Sequence, residues 1–204
     1  KALAVNLSDL AAMGAQPRWA TLAGSLPEAN EDWIASFSRG FFDCASVFSV
    51  DIIGGDTTRG PLNLCVTAMG EVEPGRALCR HGAQAGDDIW VSGQPGLAAL
   101  GLAHMQARTQ LPEPWLHPCQ RALEQPRPRV ALGLDLVGIA SAAVDISDGL
   151  LADLGHVAGR SRLQARVFLA QLPVLPEGVE RALALECQLV GGDDADASRA
   201  QCQG

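Results

Sequence analysis

Three short segments gather carboxylates and hydroxyls where apolar packing alone would not place them: Asn6-Leu7-Ser8-Asp9, Gly54-Gly55-Asp56-Thr57-Thr58 and Asp145-Ile146-Ser147-Asp148-Gly149. Carboxylate and hydroxyl oxygens are hard ligands suited to Mg²⁺, and glycine lets a backbone approach a ligand closely. In the third segment Asp145 ends an apolar run and Ser147 or Asp148 opens a helix. Two carboxylates and a hydroxyl thus meet at a turn whose free N–H groups favour phosphate.

Each segment also has a plain structural explanation. Asp9 taken alone reads as a helical carboxylate facing water. Gly54–Thr58 reads equally as a polar hairpin loop held by local turn bonds. Helix capping explains one residue of the third segment, but hardly needs both aspartates. Three such segments from distant parts of one chain point to several Mg²⁺ ions around a nucleotide. Phosphoryl transfer needs cations bridging phosphates and an in-line nucleophile, with little covalent work from the protein. Neither a G-x-x-x-x-G-K-[ST] loop nor a protein-kinase glycine loop with H-R-D occurs, so those two nucleotide architectures do not apply.

The elements that must position these residues follow from periodicity. Leu3, Leu7 and Leu10 form a stripe on a helix expected from Ala2 to Ala15, ended by Gly14 and Pro17, with Asn6 and Asp9 at its edge. A strand is expected from Trp19 to Leu26. A helix capped by Asn30 should bury Trp33, Ile34, Phe37, Phe41 and Cys44. Strand-like runs at Ser49–Ile53 and Leu62–Val72 flank the glycine-rich loop. Pro74-Gly75 is the expected domain boundary, dividing residues 1–73 from 74–204. Beyond it, strands are expected at Asp88–Gly93, Ala140–Asp145 and Leu163–Leu169. Helices are expected at Leu97–Gln106, Val130–Ile139, Asp148–Gly159 and Gly178–Glu186, with Leu150, Leu154 and Val157 inward on the third. A proline-rich connector with one short helix is expected from Gln110 to Arg129. Helices and strands alternate, an α/β or α+β architecture.

Composition narrows the function classes. A net charge of −8 with no Lys/Arg cluster argues against nucleic-acid binding, although carboxylates can recruit divalent cations to hold a polyanion such as ATP. No apolar run reaches the roughly 20 residues of a membrane span, and no signal-peptide pattern occurs, so a cytoplasmic protein is the default. The six cysteines contain no C-x-x-C pair and read as free, mostly core thiols. Lys1 opens directly into a helical pattern and the last dozen residues lose apolar patterning, so both ends read as cut.

The ordered set Lys1–Ala15, Gly54-Gly55-Asp56-Thr57-Thr58-Arg59-Gly60-Pro61 and Asp145-Ile146-Ser147-Asp148-Gly149-Leu150 closely resembles bacterial thiamine-monophosphate kinases. Gly75-Arg76-Ala77-Leu78, Arg80, Gly82-Ala83, Gly86-Asp87, Val91-Ser92-Gly93, Pro128-Arg129 and Leu154-Gly155-His156 extend the likeness to about Asp194. The resemblance implies the two-domain fold shared with aminoimidazole ribonucleotide synthetase and selenophosphate synthetase. Both the N-terminal dimerisation and ATP-binding domain and the C-terminal α/β domain would be incomplete here. It implies ATP-dependent conversion of thiamine monophosphate to thiamine diphosphate, by direct transfer in a homodimer. By position, Asp9, Asp56, Asp145 and Asp148 would hold Mg²⁺. Gly55, Asp56, Arg80 and Ser147 would bind ATP, Arg80 through its permanently charged fork, and no further catalytic group is implied.

The chain departs from the family pattern at several points. The family's N-terminal aspartate run would precede Lys1. Asp193, in Gly191-Gly192-Asp193, stands where a substrate-contacting Glu is expected, and Leu97 where an acidic residue usually follows Gly96. The aromatic residue that would cover thiamine is missing. Two alternatives therefore stand beside the kinase: another phosphotransferase or synthetase of the same superfamily, and a nucleotide-holding fragment without turnover.

Overall fold

The computed structural model describes residues 1–168, 171–172 and 201–203. These form two compact units, one of Lys1–Leu78 with Gln125–Ala140, the other of Cys79–Glu124 with the described residues from Ser141 onward.

The first unit is a three-stranded sheet with helices on one face. Helix α1 (Ala2–Ala12) buries Leu3, Ala4, Leu7 and Ala11. It ends two residues before Gly14, whose left-handed conformation (φ +66°) lets Gly14 N–H donate to Ala11 O and Ala15 N–H to Leu10 O. Those bonds satisfy two carbonyls that a helix end would otherwise leave unpaired. Pro17, expected to help end the helix, lies inside strand β1 (Gln16–Leu26) and is fully buried. Helix α2 (Glu31–Val47) starts where expected, with Asn30 Oδ1 accepting from Trp33 N–H at 3.0 Å.

The aromatic stripe of α2 grades from solvent to core. Trp33 stacks on Phe37 at 5.2 Å between ring centres, and Phe37 leans on Phe41 at 5.7 Å. Phe41 is buried, whereas Trp33, expected on the buried face, is 38% exposed because it sits at the solvent end of the helix.

Strands β2 (Asp51–Arg59) and β3 (Asn63–Glu71) flank β1 in the order β2-β1-β3. β2 is parallel to β1, with α2 as the crossover that a parallel pair requires. β3 is antiparallel to β1. Gly54–Thr58 is therefore strand, not loop, and β2 and β3 are not hairpin partners. The reason is that the glycines permit continued pairing. Gly55 lies opposite Leu22 so closely that a Cβ would fall 1.9 Å from Leu22 O. Residues 60–62 carry the chain across the end of β1, where Gly60 N–H donates to Leu26 O at 2.9 Å.

Ala20, Leu22, Ile52, Val66 and Ala68 face the helices and pack with Leu3, Leu7, Phe41, Ala45 and Val50 into one core. Cys65, expected as a core thiol, is exposed, because strand alternation turns it away from its half-buried neighbours. Helix α5 (Val130–Asp135) also joins this unit, although its residues lie past Pro74-Gly75. Gly133 allows the approach, since a Cβ there would fall 2.0 Å from Ala11 O of α1.

In the second unit α3 (Leu97–Met105) pairs with α4 (Glu113–Glu124) around Leu100 and Cys119, backed by Leu97, Leu111 and Trp115. The expected proline-rich connector thus holds a 12-residue helix with Pro118 inside it. Helix α6 spans Leu150–Ser161, and β4 (Arg166–Phe168) pairs in parallel with β5 (Gln201–Gln203). Neither Asp88–Gly93 nor Ala140–Asp145 forms a strand, since neither finds a ladder partner among the described residues. The expected helix at Gly178–Glu186 lies outside the described residues.

Candidate functional site

In the first unit the candidate residues stand on α1 and β2. Asp9 is exposed on the side of α1 away from Leu3 and Leu7. Asn6, expected to share a neighbour with Asp9, donates from Nδ2 to Ala2 O in its own helix at 2.8 Å. Asp56 lies opposite Ala23 on the sheet's edge strand and is exposed, with Oδ1 accepting from Thr57 N–H at 2.8 Å. An edge strand leaves backbone groups unpaired on its outer side. Asp56 and Thr57 therefore offer a carboxylate and a hydroxyl to a ligand from one exposed stretch, beside the bare backbone of Gly55.

In the second unit, the Asp145–Gly149 loop is built by a residue that the motif reading passed over. Asp153, in the first turn of α6, is 4% exposed. Its Oδ2 accepts from three consecutive backbone N–H groups: Ser147 at 2.8 Å, Asp148 at 3.1 Å and Gly149 at 3.3 Å. These are the amides expected to favour phosphate, and the protein's own carboxylate already occupies them. A carboxylate is a strong acceptor for these half-buried amides, and near a helix N-terminus it is also favoured by the helix dipole. Ser147 and Asp148 remain exposed and Asp145 is half-buried. One signal in the sequence marked Asp153: it lies three residues after Leu150 and four before Val157, a charge on the apolar face of α6.

Arg80 belongs to the same unit as this loop. The neighbouring Cys79 accepts at its carbonyl from Ala143 N–H at 2.9 Å, two residues before Asp145. Further ties hold the segment. Ala83 N–H donates to Ser161 Oγ at 3.2 Å, and Asp87 Oδ2 accepts from Ser141 Oγ and from Gln84 N–H. The Ser141 hydroxyl and then the Gln84 amide hold the Asp87 carboxyl below the usual range, outweighing its slight desolvation. Arg80 itself is exposed and forms no ion pair among the described residues. Asp193 lies outside the described residues. Among those described, no three His, Cys, Asp or Glu side chains gather into a group that could hold a metal ion by themselves.

The chain's relatives share both its sequence and its fold. The family model for AIR synthase related protein, N-terminal domain, matches residues 1–72. The thiamine-monophosphate kinase of Escherichia coli K12 is 48% identical over 201 residues, 95% of this chain and 61% of its own length. In sequence and fold this chain is similar to the thiamine-monophosphate kinases. The crystal structure of the Stenotrophomonas maltophilia thiamine-monophosphate kinase superposes with a TM-score of 0.81 at 55% identity, covering 89% of this chain and 58% of that one. AaThiL, complexed with AMPPCP and TMP, superposes with a TM-score of 0.79 at 30% identity, covering 94% of this chain and 60% of that one. The mixed α/β fold is thus that of the aminoimidazole ribonucleotide synthetase-like proteins, and the chain spans about three fifths of the length of the family members it matches. Among the described residues no helix is long and apolar enough to cross a membrane.

Proposed function

We propose that this chain serves the ATP-dependent phosphorylation of thiamine monophosphate to thiamine diphosphate. The observation that carries the reading is its 48% identity, over 95% of its length, to a thiamine-monophosphate kinase. The AaThiL complex, which holds an ATP analogue together with TMP, supports both substrates. A cytoplasmic location follows from ATP as co-substrate.

The acceptor's terminal phosphate is mostly dianionic at neutral pH, its second pKa lying near about 6. Its oxygen attacks the γ-phosphorus of ATP while the bond to the β,γ-bridging oxygen breaks and ADP leaves. An oxygen already anionic needs no base to remove a proton, so the reading assigns the protein only positioning and charge neutralisation.

The donor set suits Mg²⁺. This ion takes one or two carboxylates and fills its shell with water and phosphate oxygens. Asp9, Asp56, Asp145 and Asp148 offer separate carboxylates of that kind. When bound, the ions would neutralise charge on the β- and γ-phosphates. Arg80 would add a fixed positive fork to the phosphates, the Gly55 backbone would approach the nucleotide, and the Ser147 hydroxyl would contact it. A homodimer is supported by the outer face of the sheet. Trp19, Ala23, Cys65 and Thr67 alternate with the residues that pack on the helices, and all four stay exposed.

Calorimetric titration with ATP, with and without Mg²⁺, tests the reading, followed by thiamine monophosphate and product detection. Asp145→Asn should greatly weaken Mg²⁺-dependent binding, and unchanged affinity would remove Asp145 from the metal site. Turnover of a different acceptor would move the protein to another branch of the superfamily. Binding without product would leave a nucleotide-holding chain.

A further inference from the structure

We infer that Asp153 is a positioning residue for the nucleotide site, holding the Asp145–Asp148 loop in its ligand-binding shape before any ligand arrives. The inference rests on the reading that this loop takes Mg²⁺ and ATP. It adds to that reading a residue that does not touch the ligand.

Three successive backbone N–H groups pointing at one spot form a concavity that binds anions. Here the anion is the Asp153 carboxylate, 4% exposed, with Oδ2 receiving all three amides. Asp153 N–H in turn donates to Gly149 O at 3.0 Å, so the loop and the first turn of α6 are closed on each other from both sides. The loop's amides therefore have their partner in the protein. The exposed Ser147 hydroxyl and Asp148 carboxylate are left to meet a ligand from a backbone that is already ordered.

Such ordering has a direct effect on affinity. If the loop occupies its binding shape only a fraction of the time, the apparent Kd rises by the inverse of that fraction. Asp153→Asn keeps the side chain's size but removes the charge and replaces an oxygen with an N–H₂ donor. A loop so loosened to one-tenth occupancy would bind Mg²⁺–ATP roughly tenfold more weakly.

The test is calorimetric titration of the wild-type chain, Asp145→Asn and Asp153→Asn with ATP, each in Mg²⁺ and in EDTA. Positioning predicts that Asp153→Asn selectively loses the Mg²⁺-dependent part of the affinity. Loss of folded protein alone would instead scale both conditions alike, and that result would overturn the inference. If Asp145→Asn weakens Mg²⁺–ATP binding while Asp153→Asn leaves it intact, the positioning role falls and the kinase reading stands. If the wild-type chain does not bind Mg²⁺–ATP, the reading falls and takes the inference with it.

Amide exchange on the wild-type chain covers the case in which Asp153→Asn fails to fold. Ser147, Asp148 and Gly149 amides protected without ligand would support the role. Amides that exchange as in open chain until Mg²⁺–ATP is added would show that the ligand, not Asp153, orders the loop.

Discussion

Gly55→Ala should cripple the sheet on which the first half of the site is built. A Cβ at residue 55 would lie 1.9 Å from Leu22 O, 2.7 Å from Leu22 C and 3.0 Å from Leu22 N. Carbon and carbonyl oxygen approach comfortably only to about 3.3 Å, so the strands would have to part by roughly 1.4 Å at this point. A ladder bond of ordinary length stretched that far is broken. Losing two such bonds costs about 2 kcal/mol, at about 1 kcal/mol net each. The forced packing adds about 1–3 kcal/mol. With the backbone strain of its positive φ, about 1–2 kcal/mol, the sum is about 4–7 kcal/mol, or roughly 8–28 °C in the unfolding midpoint of a chain this size.

Gly54→Ala is the matched control. Its φ of +157° is close to that of Gly55 at +152°, but a Cβ there would meet nothing within 4 Å. It should therefore cost only the backbone strain, about 1–2 kcal/mol. Thermal and urea unfolding of the two variants followed by circular dichroism would read the difference. Equal, small losses in both would refute the close approach of β2 to β1 at Leu22.

The other expectations concern the cap, the thiols and the acid response. Asn30→Ala removes the bond to Trp33 N–H at 3.0 Å and should cost about 1 kcal/mol, read as a drop in urea midpoint with unchanged slope. In the native chain a maleimide should label exposed Cys65 well before Cys119, which is 0% exposed and whose thiol is pushed up by burial. Equal labelling rates, measured by peptide mass, would contradict the packing of α4 on α3. Asp87 titrates below the ordinary carboxylate range because Ser141 and Gln84 donate to it. Its contribution to holding the Gln84–Asp87 turn is therefore present above the unfolded pKa and is lost only as pH falls through the lowered folded one. The Gln84 amide resonance should stay constant on acidification until that lower pH and then shift. In Asp87→Asn that step should vanish.

Much of the local structure was legible in the residues. Asn30 marked the start of α2, because a side-chain acceptor followed by an aromatic stripe acts within a few residues. Leu3, Leu7 and Leu10 marked α1 and its inward face, and Gly14 its end. The exposed Asp56 and Asp148 stand out in sequence because aspartates beside glycines and hydroxyls have no core role. The ordered motifs also carry the likeness to thiamine-monophosphate kinases in the residues alone.

What the sequence determined by itself was which groups are available: the carboxylates, the guanidinium, the glycines and the elements that carry them. What the tertiary structure decided was who meets whom. β2 and β3 are both strand-like and adjacent in the chain, yet both pair with β1, a choice governed by the crossover through α2 and by the space that Gly55 leaves. α5 docks on α1 across more than a hundred residues of chain because Gly133 admits the Ala11 carbonyl. The spacing of Asp153 puts a charge on the apolar face of α6, but only the tertiary structure shows that its carboxylate receives three amides of the preceding loop. Periodicity and capping act over one or two turns and are written locally. Strand partners and the fate of a buried charge depend on what the rest of the chain brings beside them.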